Sequence, residues 1–221
     1  MFNWSKKTPQ VDFSEIRDVL FGDLPFSHWP PESSTDAEPW LSFVRAKQQS
    51  ELGNKAEEIN VLQGILSKPD LESRHFLQAW HFLRELGVAP TDEAKQVYGV
   101  VVEVALPKGL DIVAAYADHT ARYFNFSGTA VVWERPDESL DASIDDLLKS
   151  GQTVVDQIGV WDKPRPAAPP QGDARINMLT PSGLHYGQAK MNFLANDALG
   201  GSVISTATSL MQQLVAKANE I

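Results

Sequence analysis

Five histidines punctuate the 221-residue sequence: His28, His75, His81, His119 and His185. A helix-borne zinc motif needs two imidazoles on one face, and His75 and His81, six residues apart, fall on different faces. No cysteine is available to supply a thiolate ligand or nucleophile. No HExxH, EF-hand or facial-triad spacing appears, and neither a P-loop nor a GxGxxG follows a strand-like segment. Neither a metal nor a cofactor is expected. Gly200-Gly201-Ser202 precedes a helical pattern, and the spacing predicts a flexible loop with Ser202 as helix cap.

Nucleophilic catalysis needs a serine, a base and an orienting acid together. Ser182 lies three residues before His185, and Ser127 eight after His119, but neither serine sits in a GxSxG elbow. The densest group of reactive types is Thr180-Pro181-Ser182-Gly183-Leu184-His185-Tyr186-Gly187, which combines hydroxyls, an imidazole, a phenol and glycines at a hairpin. Glycine there admits a ligand or another backbone close by. Ser182, His185 and Tyr186, with His119 from another sheet turn, are the candidate ligand-binding residues. No catalytic residue is assigned.

Charge narrows the partners. Nineteen basic and 29 acidic side chains give a net charge of −10. Nucleic-acid binding depends on neutralising phosphates, so an acidic chain without a basic cluster is a poor candidate. The acidic run from Asp137 through Asp146 repels anionic lipid and favours a basic protein partner. Within it, Asp141 and Asp145 are candidate interaction residues. Trp29, in a Pro-aromatic segment, is a third, although packing onto the chain's own body is the alternative for an apolar ring. Met1 to Gln10 has no apolar core of a signal peptide, and the apolar run Val97 to Leu106 is broken by Glu103. A cytoplasmic protein with no membrane span is expected, of unknown oligomeric state.

The elements that must position these residues follow from periodicity. Residues 1–38 read as an extended Pro-aromatic segment with one short helix near Phe13 to Phe21. Residues 39–96 form a helical region, with helices from Pro39 to about Leu52, Lys55 to Leu66 and Leu71 to Leu86, stopped by Gly53, Pro69 and Gly87. Residues 97–221 form an α+β domain. Its strands fall at Val97 to Ala105, Leu110 to Tyr116, Arg122 to Phe126 and Thr129 to Trp133. A helix follows over Leu140 to Ile158, which Gly151 bends or interrupts. A proline-rich linker or surface loop, Asp162 to Asp173, leads to a hairpin over 174–187 and a closing helix, Val203 to Ala218.

The fold class is therefore α+β: an N-terminal helical region, then an antiparallel β-meander sheet packed by two helices, in the order ββββαββα. Ala121-Arg122 to Ser127-Gly128 is echoed by Ala174-Arg175 to Ser182-Gly183, which reads either as duplication or as two common turns. If Arg122 or Arg175 points inward it needs an acid, for which Glu103, Asp111 and Glu134 are the candidates. Three functions remain open: a non-enzymatic interaction protein (adaptor or inhibitor-like), a small-ligand-binding or sensory domain, and a hydrolase-type enzyme using a hairpin histidine.

Overall fold

The computed structural model describes residues 13–31, 37–91 and 93–219. Four helices come first: α1 (Phe13–Phe21), α2 (Trp40–Glu51), α3 (Lys55–Leu66) and α4 (Ser73–Glu85). Strands β1 (Gly99–Leu106), β2 (Gly109–Tyr116), β3 (Ala121–Phe124) and β4 (Ala130–Trp133) follow as a meander. Then come α5 (Asp141–Val155), β5 (Asp173–Thr180), β6 (Gly183–Lys190), α6 (Met191–Leu194) and α7 (Gly200–Ala218). The six strands form one antiparallel sheet in the order β4-β3-β2-β1-β5-β6. This is the expected α+β class. Only the one-turn helix α6 was not anticipated, because four residues are too few to show a period. The part of the N-terminal segment before Phe13 lies outside the described residues.

Strand alternation splits the sheet between two cores. Val100, Val102, Val113, Ile176 and Met178 face α5 and α7, where they meet Ile144, Leu147, Val203 and Leu210. Gly151 does not interrupt α5. A Cβ there would come within 2.7 Å of Val100, so the glycine lets the helix lie close against the sheet. Val101, Leu110, Ile112, Ala114, Tyr116 and Leu179 face the other way, against Leu20 and Phe21 of α1 and Leu77 of α4. The N-terminal helices therefore cover the second face.

A third core lies inside the helical module, built from Phe43, Leu62, Ile65, Phe82 and Leu83. Trp29 joins it, with its ring 5.1 Å from Trp40, 5.3 Å from Phe43 and 5.8 Å from His75. Trp29 thus packs onto the chain's own body, the alternative named for it from the sequence. Burying an indole there stabilises the module by roughly 2 kcal/mol, which a waiting docking ring would forgo. At α7, Asp197 rather than Ser202 supplies the cap. Its Oδ1 accepts the Leu199 and Gly200 amides at 2.9 and 2.8 Å, and the helix begins at Gly200.

Both hairpin arginines are buried, and each has an acid. Arg122 donates to Glu134 at 2.7 Å and to the Trp133 carbonyl at 3.1 Å. Arg175 lies 3.7 Å from Glu103, which is fully buried on β1. Arg17 of α1 reaches the same carboxylate at 2.6 Å, and the Asn177 amide adds a bond at 3.1 Å. The spare donors of these arginines end on the Pro166 and Ala167 carbonyls. Residues 162–172 are thereby held as a strap over the sheet, not as a linker.

Two measurements test this arrangement. Glu103→Gln leaves two buried guanidinium groups without a countercharge, and urea unfolding is expected to show a loss of about 3 kcal/mol or more. The second concerns pH. Burial lowers the pKa of His75, His81 and His185 below the usual 6.5. The unfolded chain then binds more protons, so stability is complete above about pH 6.5 and falls as pH drops towards the folded values. His75→Phe, which preserves an aromatic ring against Trp29 and Trp40, is expected to flatten the decline in Tm between pH 7 and 5.

Candidate functional site

Helix α4 has an apolar face on each side, Leu77 towards the sheet and Ala79, Phe82 and Leu83 towards the helical core. It therefore lies on the seam between the two modules and crosses one end of the sheet. At its N-terminus the Ser73 amide donates to Asp118 at 2.7 Å, and the Asp118 amide donates back to Ser73 Oγ at 3.0 Å. Asp118 belongs to the β2–β3 turn, so a carboxylate from the sheet caps the helix, where the dipole favours it. At the other end Arg84 Nη1 donates to the Pro181 carbonyl in the β5–β6 turn at 2.6 Å. Eleven residues of helix span about 16 Å. That matches the three to four strand spacings of about 4.8 Å between those two turns.

This geometry separates the candidate ligand-binding residues. His119 sits in the β2–β3 turn with φ of 61° and its Nε2 3.0 Å from Asp145. His185 is on β6, on the order of 15 Å away across the intervening strands. His185 pairs across the ladder with Met178, and Tyr186 with Asn177, so the two project from opposite faces. His185 is 1% exposed, enclosed on the α5 side of the sheet. Ser182 Oγ is within 3.3 Å of His185 Nε2 and 2.7 Å of Thr180 Oγ1. The far side of the imidazole faces the backbone at Ile158 and Gly159, and among the described residues no carboxylate bonds to it in the place of an orienting acid.

The acidic candidates are engaged internally. Asp141 takes both Arg135 nitrogens, at 2.7 and 3.2 Å, which hold its pKa below the usual carboxylate value. Asp145 holds His119. Among the described residues no group of three or more His, Asp or Glu could hold a metal ion.

Of the four hairpin and turn candidates, Ser182 alone lines a cleft of about 750 Å³. This cleft opens where the C-terminal turn of α4, the end of α1, the β5–β6 tip and the loop after α5 meet. Trp161 forms one wall. Its amide donates to the Leu184 carbonyl at 2.7 Å, its indole to Pro164 at 3.0 Å, and Tyr186 supports its ring edge-on at 5.1 Å. Arg165 donates to Asp18 and Asp23, both at 2.7 Å, and lies 4.5 Å over the Phe21 ring. Burial disfavours its charge, but Asp23 and Asp18 outweigh that and raise its pKa.

Arg84 behaves differently. Burial brings its pKa down to about 10, against the opposing pull of Asp23 and Glu85. Gly183, at φ of +126°, completes the tip beneath it, and a Cβ there would meet Val160 at 3.1 Å.

Arg84, Trp161 and Arg165 escape a sequence reading for a physical reason. An arginine in the last turn of a helix is ordinary dipole compensation. A Trp and an Arg in a proline-rich loop carry no period. The one local signal available was Trp161 standing three residues before Pro164, and it was not read from the sequence. No known family model matches the chain, and no curated protein or solved structure matches it either.

Proposed function

We propose that this is a non-enzymatic binding protein whose recognition site is the cleft at the seam of the helical module and the sheet, and that it receives a small molecule with a flat body. One observation carries the reading: a cleft of about 750 Å³, within the range of small-molecule sites, walled by a tryptophan whose backbone is tied to Leu184 and whose ring is held by Tyr186 and by the indole bond to Pro164. A rigid aromatic wall gives up little entropy on binding. Operation in the cytoplasm fits a chain without cysteine.

An NMR titration with neutral planar fragments, indole and benzamide, tests it. The Trp161 indole N–H, assigned through Trp161→Phe, and the Gly183 and Leu184 amides are expected to shift. Unmoved resonances at those positions with every fragment would end the reading. Catalysis at the hairpin is tested separately: a fluorophosphonate probe is expected to label wild type no more than Ser182→Ala. Selective labelling of Ser182 would place the protein among hydrolases.

A second observation favours a protein partner as well. Among the described residues strand β4 is an edge of the sheet with no strand paired on its outer side. The Asn125 amide bond to the Thr129 carbonyl sets the ladder phase, so Ala130 and Val132 turn their backbone groups outward. Val132 is 52% exposed. The chain then runs straight into six carboxylates and one arginine between Glu134 and Asp146. A basic extended segment adding to this edge would meet complementary charge. By contrast, the β6 edge carries the Trp161 amide on Leu184.

A further inference from the structure

Arg84 is the anomaly of the cleft. Buried guanidinium groups are normally paired, because withdrawing the charge from water costs several kcal/mol. Arg17, Arg122, Arg165 and Arg175 obey that rule, each with a carboxylate within 4 Å. Arg84 is half-buried rather than enclosed like Arg17, Arg122 and Arg175, yet among the described residues no carboxylate lies within 4 Å of it. Among the described residues its one hydrogen bond goes to Pro181. There its Nε and Nη2 make none, and neither is among the sealed polar atoms, so they open to the cleft. Lys163 adds a second cation at the rim, 5.3 Å from the centre of the Trp161 ring and likewise without a carboxylate within 4 Å among the described residues. A positive spot is thus maintained inside a chain of net charge −10.

We propose that Arg84 is the anchor for the carboxylate of a planar, singly charged ligand, whose body lies against Trp161. This rests on the cleft being the recognition site. The free edge of a guanidinium matches a carboxylate in two parallel hydrogen bonds, with geometry that an ammonium does not offer. The charge of the ligand is limited by the other walls. Asp18, Asp23, Glu85 and Asp162 also line the cleft. Asp18 and Asp23 are held by Arg165, but Glu85 and Asp162 remain to repel a phosphate dianion placed on Arg84, whereas a single negative charge is matched by the one guanidinium without a carboxylate among the described residues. The Pro181 bond fixes the position of the guanidinium before any ligand arrives, so little ordering remains to be done on binding.

Matched probes separate this inference from the reading beneath it. Calorimetric titrations compare benzoate with benzamide, indole-3-acetate with indole-3-acetamide, and both acids with inorganic phosphate. Each acid is expected to bind at least tenfold more tightly than its amide, and phosphate more weakly than either acid. Arg84→Gln is expected to bring the affinities for acid and amide to within about twofold of each other. Arg84→Lys is expected to restore only part of it. Equal affinities for acid and amide in the wild-type protein overturn the carboxylate anchor and leave the cleft reading standing, and need no variant to fold. Preferential binding of phosphate overturns it too. Failure of every probe, neutral ones included, removes both.

Discussion

A helix pinned at both ends across the edge of a sheet is the constraint on which the remaining architecture rests. Without tertiary partners, α4 is a 13-residue segment, and isolated helices of about that length are marginal in water. The Ser73–Asp118 exchange holds one end to the β2–β3 turn, and Arg84 holds the other to Pro181. Between these clamps the helix contributes Leu77 to one core and Phe82 and Leu83 to another. Gln78 adds a third restraint, pairing its amide with both the N–H and the carbonyl of Leu24. The helical module and the sheet therefore share an element, and their relation is fixed by packing and hydrogen bonds together.

The buried ions perform a second joining task. Glu103 is fully enclosed and accepts from Arg17, with Arg175 and Asn177 close on its other oxygen. Such a cluster offers little net stability over an apolar core, because desolvation consumes most of the Coulomb gain. Its effect is directional. Arg17 comes from α1, Glu103 from β1, Arg175 from β5, and the leftover donors catch the carbonyls of the loop at Pro166 and Ala167. Apolar side chains would cover the same face without choosing where a proline-rich strap must lie.

The cleft follows from these two devices. Arg84 stands at the C-terminal clamp of α4, and the strap that the ionic cluster fixes continues back to Trp161. Neither element is a loop free to relax. A cavity bounded by such parts keeps its polar groups in position without a ligand, which makes an unpaired guanidinium there a persistent feature. Histidines, by contrast, fell into structural places: His75 among aromatic rings, His185 under the sheet, and His119 against Asp145.

The amino-acid order by itself settled the elements. Helical and alternating periods, with Gly53, Pro69 and Gly87 as stops, marked every strand and all helices but α6 among the described residues, because those patterns are local. For the hairpin arginines the amino-acid order supplied only a condition, that an inward guanidinium needs an acid, and left open whether either turns inward. What the order could not express was coincidence in space. Ser182 and His185 are close because a hairpin is a local structure. Arg84 and Pro181 meet although 97 residues separate them, and Arg165 finds Asp18 across 147. Those meetings depend on which sheet end α4 crosses and on which face α1 covers. Packing of whole elements decided that, and no residue pattern along the chain records it.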